Sequence, residues 1–341
     1  MLRLPVSSLP RRPRISVVIP CYNYASYLEA CVDSALSQRD VDVDVTIIDD
    51  ASTDDSALVA KGICDRDSRV RLIRHETNLG HLHTTNEAFR LAASDFVVKL
   101  DADDLLTPGS LARSAELLMA DSDIGFVYGY APDFTAAAPA ILDSKTRYWI
   151  VWAGDTWLKR VLHRAHNVIK QPEVMIRKQA LADVGGEYSD MLPWAPDYHL
   201  WLRLAARWRV GYIGGAIQGL YRVHNLSMMR SAKDLHLSDL RARVSATRLF
   251  LAESPDNMRL FGRAALRALA RDTRILLAAR LERKDTPTAT LAEYDRISQE
   301  LELESATSRA RGPLTWQGAM GRKLRLLRDK IRWRRWKLTG I

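Results

Sequence analysis

The glycine-rich phosphate loops are missing: neither GxGxxG nor GxxxxGK[ST] occurs anywhere in the 341 residues, which argues against the dinucleotide and P-loop folds. Cysteine is scarce. Cys21, Cys31 and Cys64 are an odd number without metal-ligand spacing, so neither a disulfide framework nor a zinc site on them is expected, and a reducing compartment fits. No apolar run approaches the roughly 20 residues of a membrane span. The N-terminus MLRLPVSSLPRRPR is basic but lacks the apolar core of a signal peptide, so a cytoplasmic protein is expected. Acidic residues are almost absent from the C-terminal tail, where residues 321–341 carry nine Lys or Arg and one acidic side chain. That net of +8 leaves about +1 of the total +9 for the rest, so the basicity belongs to a tail and is no general nucleic-acid signature.

What is present is a globular composition, 47% hydrophobic, with short β-branched runs beginning near Ile15 (ISVVIP), Val43 (VDVTIID), Val70 (VRLIRH) and Phe96 (FVVKLD). A helical pattern follows each: Ser26 to Gln38, Thr53 to Asp65, Leu82 to Ala93, and Pro108 to Ala120 with Thr107 as its expected N-cap. Such alternation predicts βαβ units on a mostly parallel sheet, an α/β fold with helices on both faces. Further on, PEVMIRKQALADVGG reads as a strand and a helix stopped by Gly185 and Gly186. PDYHLWLRLAARW reads as a helix with Asp197 in its first turn, and VGYIGGAIQGLYRV as extended. From Ser231 to about Glu304 the pattern is helical. The expected divisions are an extension, 1–13, an α/β domain, 14–231, with halves 14–130 and 131–231, and a helical region, 232–341, ending in the basic tail 321–341.

Three polar clusters fall where strands should end: PCYNY, IDDASTDDS and LDADD. In open α/β sheets ligands bind outside the carboxyl ends of the strands, so the three outline one pocket. Carboxylates there are too costly to bury unpaired and suit a cation, so a nucleotide in this pocket would be held by carboxylates and a metal.

The stretches VVIPCYNYASYLEACVDSALSQ, VTIIDDASTDDS, NLGHLHTTNEAF and LDADDLLTPGSL resemble, in order and spacing, the family 2 inverting glycosyltransferases of the GT-A fold, of the bacterial surface-polysaccharide type. PDYHLWLRLA and YRVHNLSMM resemble that family's catalytic-base helix and late histidine motif, and the likeness covers about residues 14–230. The resemblance implies a Rossmann-like nucleotide-binding sheet followed by a helical C-terminal region. It implies that Pro20, Tyr22 and Asp50 line a nucleoside pocket, with Asp49 and Ser52 supporting the turn. Asp101 would face the ribose and the metal, Asp103 would bind Mn²⁺ or Mg²⁺, and His224 would complete the metal shell. Asp197 would be the general base, acting alone because Pro196 stands where the family usually has a second acid.

The expected reaction moves a sugar from a nucleotide-sugar, a UDP-sugar in the first place, to a hydroxyl of a glycan or lipid-linked glycan. Blander roles weigh against each residue. Asp49 and Asp50 also suit turn formation, Asp197 suits a helix N-terminus, and Asn78 and His81 suit helix capping. Trp194, in the loop LPWAP beside Asp197, is the expected acceptor-binding aromatic, whereas Trp201 at helical spacing and Cys21 read as packing. A sugar-nucleotide nucleotidyltransferase and a non-catalytic nucleotide-binding protein on a transferase scaffold are the alternatives. In the tail, Leu324, Leu327, Ile331 and Leu338 fall on one helical arc among basic residues, which favours an anionic membrane surface over nucleic acid and peripheral attachment to the inner face.

Overall fold

The computed structural model describes residues 1–6, 9, 11–135, 145–224, 234–254, 261–282, 286–305 and 336–341. The chain divides into two compact units, the first of residues 1–156, 169–225 and 340, the second of residues 157–168, 226–339 and 341.

The first unit is built on β-branched strands whose two faces are both covered. β1 (Leu2–Leu4) is followed by β2 (Arg14–Cys21), in which every residue after Arg14 is buried. Then come α1 (Ala25–Leu36), β3 (Asp42–Asp49), α2 (Ser56–Arg66), β4 (Val70–Arg74), α3 (His81–Leu91) and β5 (Phe96–Lys99). The strands β2 to β5 and the helices α1 to α3 follow the sequence expectation to within a few residues. β2 pairs in parallel with β3 on one side and β5 on the other, and β3 pairs in parallel with β4. The chain thus reverses its direction of travel between β2 and β5, and a doubly wound sheet opens its ligand crevice at that point.

Beyond β5 the chain forms β6 (Leu105–Leu106), α4 (Ser110–Ala120), β7 (Ile124–Tyr130), β8 (Asp133–Phe134), β9 (Tyr148–Trp152) and α5 (Gly154–Arg164), whose residues from Trp157 on are assigned to the second unit. β10 (Met175–Arg177), α6 (Lys178–Asp183), α7 (Pro196–Arg207), β11 (Arg209–Ile217) and β12 (Gly219–Arg222) complete the first unit. The nine-stranded sheet runs β1-β9-β11-β7-β10-β5-β2-β3-β4, with β10 antiparallel to both β5 and β7. A small sheet, β6-β12-β8, stands apart from it.

One cap differs from expectation. Thr107 does not cap α4: its hydroxyl donates to the Ile217 carbonyl, and the helix begins after Gly109, which takes a left-handed φ of 74°. The threonine is used to tie the end of β11 instead of a helix N–H. Gly185 and Gly186, both at positive φ, stop α6 as expected.

The second unit contains α8 (Leu235–Glu253), α9 (Gly262–Leu281) and α10 (Thr288–Ser305). Its core joins Leu237, Leu240 and Val244 to Leu269, Tyr294, Ile297 and Leu301. Arg243, only 2% exposed, is neutralised by Asp239 at 2.8 Å and Asp272 at 3.0 Å and donates to the Ala165 carbonyl. No helix among the described residues is long and apolar enough to cross a membrane. The expected amphipathic arc of the tail lies, except for Leu338, outside the described residues.

Candidate active site

Two turns at the carboxyl ends of β2 and β3 are tied together. Asn23, at a left-handed φ of 59°, accepts through Oδ1 from the backbone N–H groups of Thr53 (2.8 Å) and Asp54 (3.3 Å). In return Ser52 Oγ accepts from the Asn23 N–H and Ser56 Oγ from the Tyr24 N–H, each at 2.9 Å. Ser52 N–H reaches Asp49 Oδ2 at 3.4 Å, and Arg74 lies 3.4 Å from the same oxygen. Pro20 is buried within β2, and Tyr22 is 43% exposed at the rim. Burial pushes the Cys21 thiol up to about 12, which suits packing and not nucleophilic chemistry.

Asp50 is 3% exposed and anchored from three sides. Its Oδ1 meets His75 Nδ1 at 2.7 Å and accepts from Leu79 N–H at 2.8 Å, while Oδ2 accepts from Gly80 N–H at 2.9 Å. Those bonds outweigh burial and hold the carboxyl below its ordinary range. Asn78 donates to the Asp50 carbonyl at 3.2 Å, a bond to the turn and not a helix cap, and His81 is the first residue of α3.

The carboxylates after β5 form the charged centre. Asp101 pairs with Lys99, a lysine only 3% exposed, and that pair keeps the Asp101 carboxyl low. Asp103 Oδ2 lies 2.8 Å from His224 Nε2; burial and the neighbouring Asp101 push its carboxyl up. Asp104 is 1% exposed, accepts through Oδ1 from the Arg222 N–H at 2.7 Å, and has no hydrogen-bond partner at Oδ2. Burial, Asp101 and Asp103 push its carboxyl well above the usual range. Of the three carboxylates, Asp101 has the Lys99 ammonium and Asp104 the Arg222 backbone N–H, and the orphaned Asp104 oxygen adds to a surplus of negative charge. That carboxylate-rich set, with the His224 imidazole beside Asp103, fits a divalent cation such as Mn²⁺ or Mg²⁺ better than a further side chain.

β12 delivers the other half of this corner. Arg222 donates through Nε to the Asp103 carbonyl at 2.7 Å, and its guanidinium lies between the rings of Phe134 (4.3 Å) and Tyr27 (4.6 Å). His224 packs on Tyr24 and Tyr27 with ring centres 5.9 and 5.2 Å away.

Asp197 sits half-buried in the first turn of α7, after Ala195, a non-glycine residue at φ 53°. Trp194, also half-buried, precedes it. Tyr188 links this loop to the strand ends. Its hydroxyl lies 3.1 Å from Gln171 Oε1, and Gln171 donates to the Lys99 carbonyl at 3.3 Å. The phenol is pushed well up by burial first, then by Asp197 and Asp101. Trp201 is fully buried against Phe126, ring centres 5.5 Å apart, in keeping with a packing role.

Lys99, Arg222, Tyr24, Tyr27 and His75, with Glu87 Oε2 2.8 Å from His75 Nε2, also belong to these networks and escaped sequence reasoning. Lys99 alone carried a signal, as a charge inside an otherwise apolar strand.

Residues 16–181 match the family model Glycosyl transferase family 2. An uncharacterized protein of Mycobacterium tuberculosis (strain CDC 1551 / Oshkosh) is 30% identical over 226 residues, covering 61% of this chain and 67% of that protein. The chain belongs to glycosyl transferase family 2.

The chondroitin synthase of Pasteurella multocida (strain Pm70) is 34% identical over 128 residues, 38% of this chain, which spans only 13% of that protein. Among solved structures, TarS of S. aureus superposes with a TM-score of 0.57 at 15% identity, covering 86% of this chain and 54% of TarS. A mannosyltransferase of Pyrobaculum calidifontis, in complex with GDP-Man and Mn²⁺, gives a TM-score of 0.55 at 19% identity over 97% of this chain and 91% of that one. The fold is GT-A, and the enzyme is a glycosyltransferase. Its family transfers sugars, so the nucleotidyltransferase alternative lapses.

Proposed function

We propose that the protein transfers a sugar with inversion from a nucleotide-sugar, a UDP-sugar in the first place, to a hydroxyl of a surface glycan or lipid-linked glycan, with Mn²⁺ or Mg²⁺ at Asp101, Asp103 and His224. The observation that carries this reading is the crowding of Asp101, Asp103 and Asp104 at the crevice, with Asp103 Oδ2 2.8 Å from His224 Nε2 and Asp104 Oδ2 left without a hydrogen-bond partner. The metal and the donor class draw support from the mannosyltransferase bound to GDP-Man and Mn²⁺ and from TarS bound to UDP-GlcNAc.

When bound, the cation supplies Lewis-acid stabilisation of the departing diphosphate. Pro20, Tyr22 and Asp50 line the nucleoside pocket, with Asp49 and Ser52 holding the turn. Asp50 Oδ2, bonded to one N–H, keeps room to accept a second bond from a base. Asp197 takes the proton of the acceptor hydroxyl as that oxygen attacks the anomeric carbon from the face opposite the nucleotide, and inversion follows. Trp194 presents an aromatic face to the acceptor sugar. The basic tail would hold the enzyme at an anionic inner membrane surface, where a lipid-linked acceptor lies.

A panel of nucleotide-sugars, scored for donor hydrolysis with and without Mn²⁺ and no acceptor, tests the reading. It predicts one or a few UDP-sugars cleaved only with the cation; cation-independent cleavage, or none, would refute it.

A further inference from the structure

Outside the Asp101–Asp103 corner, His75, His83 and Glu87 each offer one ligand atom, and the three atoms lie within 4.8 Å of one another. His75 follows β4 directly, with its N–H donating to the Asp49 carbonyl at 2.9 Å, so its backbone is fixed. His83 and Glu87 are four residues apart on α3 and therefore share one face of that helix.

The imidazole of His75 is held on both sides. Nδ1 faces Asp50 at 2.7 Å and Nε2 faces Glu87 Oε2 at 2.8 Å. If Nδ1–H points to Asp50, Nε2 and the Glu87 oxygen present lone pairs to each other, and a positive centre must sit between them. A proton can fill that place, and so can a metal ion. A carboxylate fixing the far nitrogen of a ligating histidine is the outer-shell arrangement of metal sites, and Asp50 is itself pinned by Leu79 and Gly80. The triad of Asp50, His75 and Glu87 has no need of His83, yet the His83 ring lies edge-on to His75 with centres 6.0 Å apart. His83 is exposed, so its ring can swing inward.

We infer that His75, His83 and Glu87 form a three-ligand site for a borderline transition-metal ion, Zn²⁺ in the first place, with Asp50 orienting His75 and a water in the remaining position. Two imidazoles and one carboxylate suit such an ion, whereas the two carboxylates Asp101 and Asp103 with the single imidazole of His224 suit a harder one. Tetrahedral Zn²⁺ with bonds of about 2.0–2.2 Å needs ligand atoms about 3.3 Å apart. The His75–Glu87 pair therefore opens by about half an ångström, which the partly exposed Glu87 side chain allows. The inference does not depend on the proposed reaction.

Zn²⁺ binding to the untagged full-length chain is measured by competition with a chromophoric chelator, in excess Mg²⁺ so that the site of Asp101 and Asp103 is taken. The expected result is one Zn²⁺ per chain, weakened about 10-fold or more in both His83→Ala and Glu87→Gln and unchanged in Asp103→Ala. Co²⁺ in place of Zn²⁺ should give the visible bands of a four-coordinate site in wild type and lose them in His83→Ala, which, being a surface change, leaves the fold intact. No Zn²⁺ bound under Mg²⁺, binding indifferent to His83→Ala, or binding lost in Asp103→Ala and kept in His83→Ala would each overturn the assignment.

Discussion

The Asp103 carboxylate and the His224 imidazole meet at 2.8 Å across 121 residues of sequence. One lies after β5 and the other after β12, and Arg222 fastens the two segments by donating to the Asp103 carbonyl and to the Asp104 carboxylate. If both side chains face one cation, His224→Ala should raise the Mn²⁺ concentration for half-maximal activity by roughly 10- to 100-fold. A cation titration of donor hydrolysis in the two proteins reads this directly, with the circular dichroism spectrum unchanged.

Asp197→Asn should separate chemistry from binding. As the proposed base, Asp197 would act chiefly in the transition state, so turnover should fall by roughly 10²- to 10⁴-fold. The donor Kd should stay within about twofold of wild type, as removal of a transition-state interaction requires. Near-normal turnover would move the base elsewhere.

Gly80 holds the turn that anchors Asp50. Its φ of 87° is strained for any L side chain, although a Cβ there would meet nothing within 4 Å. Gly80→Ala should therefore cost about 1 kcal/mol or more through the backbone alone. Urea unfolding of the two proteins gives the difference.

Acid should loosen the helix that carries Asp197. His199, fully buried on α7, has its pKa lowered from 6.5 to about 4 by burial and then by Arg203. A histidine depressed in the fold favours the neutral ring, while the unfolded chain takes up a proton first as pH falls. Its contribution is thus complete above about pH 6.5 and is lost between there and about pH 4, at about 1.4 kcal/mol per pH unit. His81, lowered to about 4 by burial and by Lys99, acts in the same direction. His75, raised by Asp50 and Glu87 against its burial, acts in the opposite one, losing its contribution as pH rises through its shifted value. The variant His199→Leu should have a shallower loss of stability between pH 6.5 and pH 4 than wild type, measured by denaturant midpoints across that range.

The strands and most helices of the first unit were legible because their signals are local: β-branched runs two to three turns from amphipathic stretches, with glycine stops. The clusters at strand ends were legible for the same reason, since a carboxylate after an apolar run has few other places to go. The contacts across the corner were not. Thr107 has the chemistry of a cap, and only the proximity of Ile217 diverts its hydroxyl. The clamp of Arg222 between Tyr27 and Phe134, and the bond of Asp50 to His75, each join residues at least 25 positions apart, which no periodicity announces.

Donor binding is proposed to run through a divalent cation at Asp101 and Asp103. Calorimetric titration of UDP into wild type and Asp103→Ala, each with and without Mn²⁺, tests it most directly. Tight binding to wild type only with Mn²⁺, and no Mn²⁺ effect in the variant, is the expected result. Equal UDP affinity of wild type with and without the cation would contradict it.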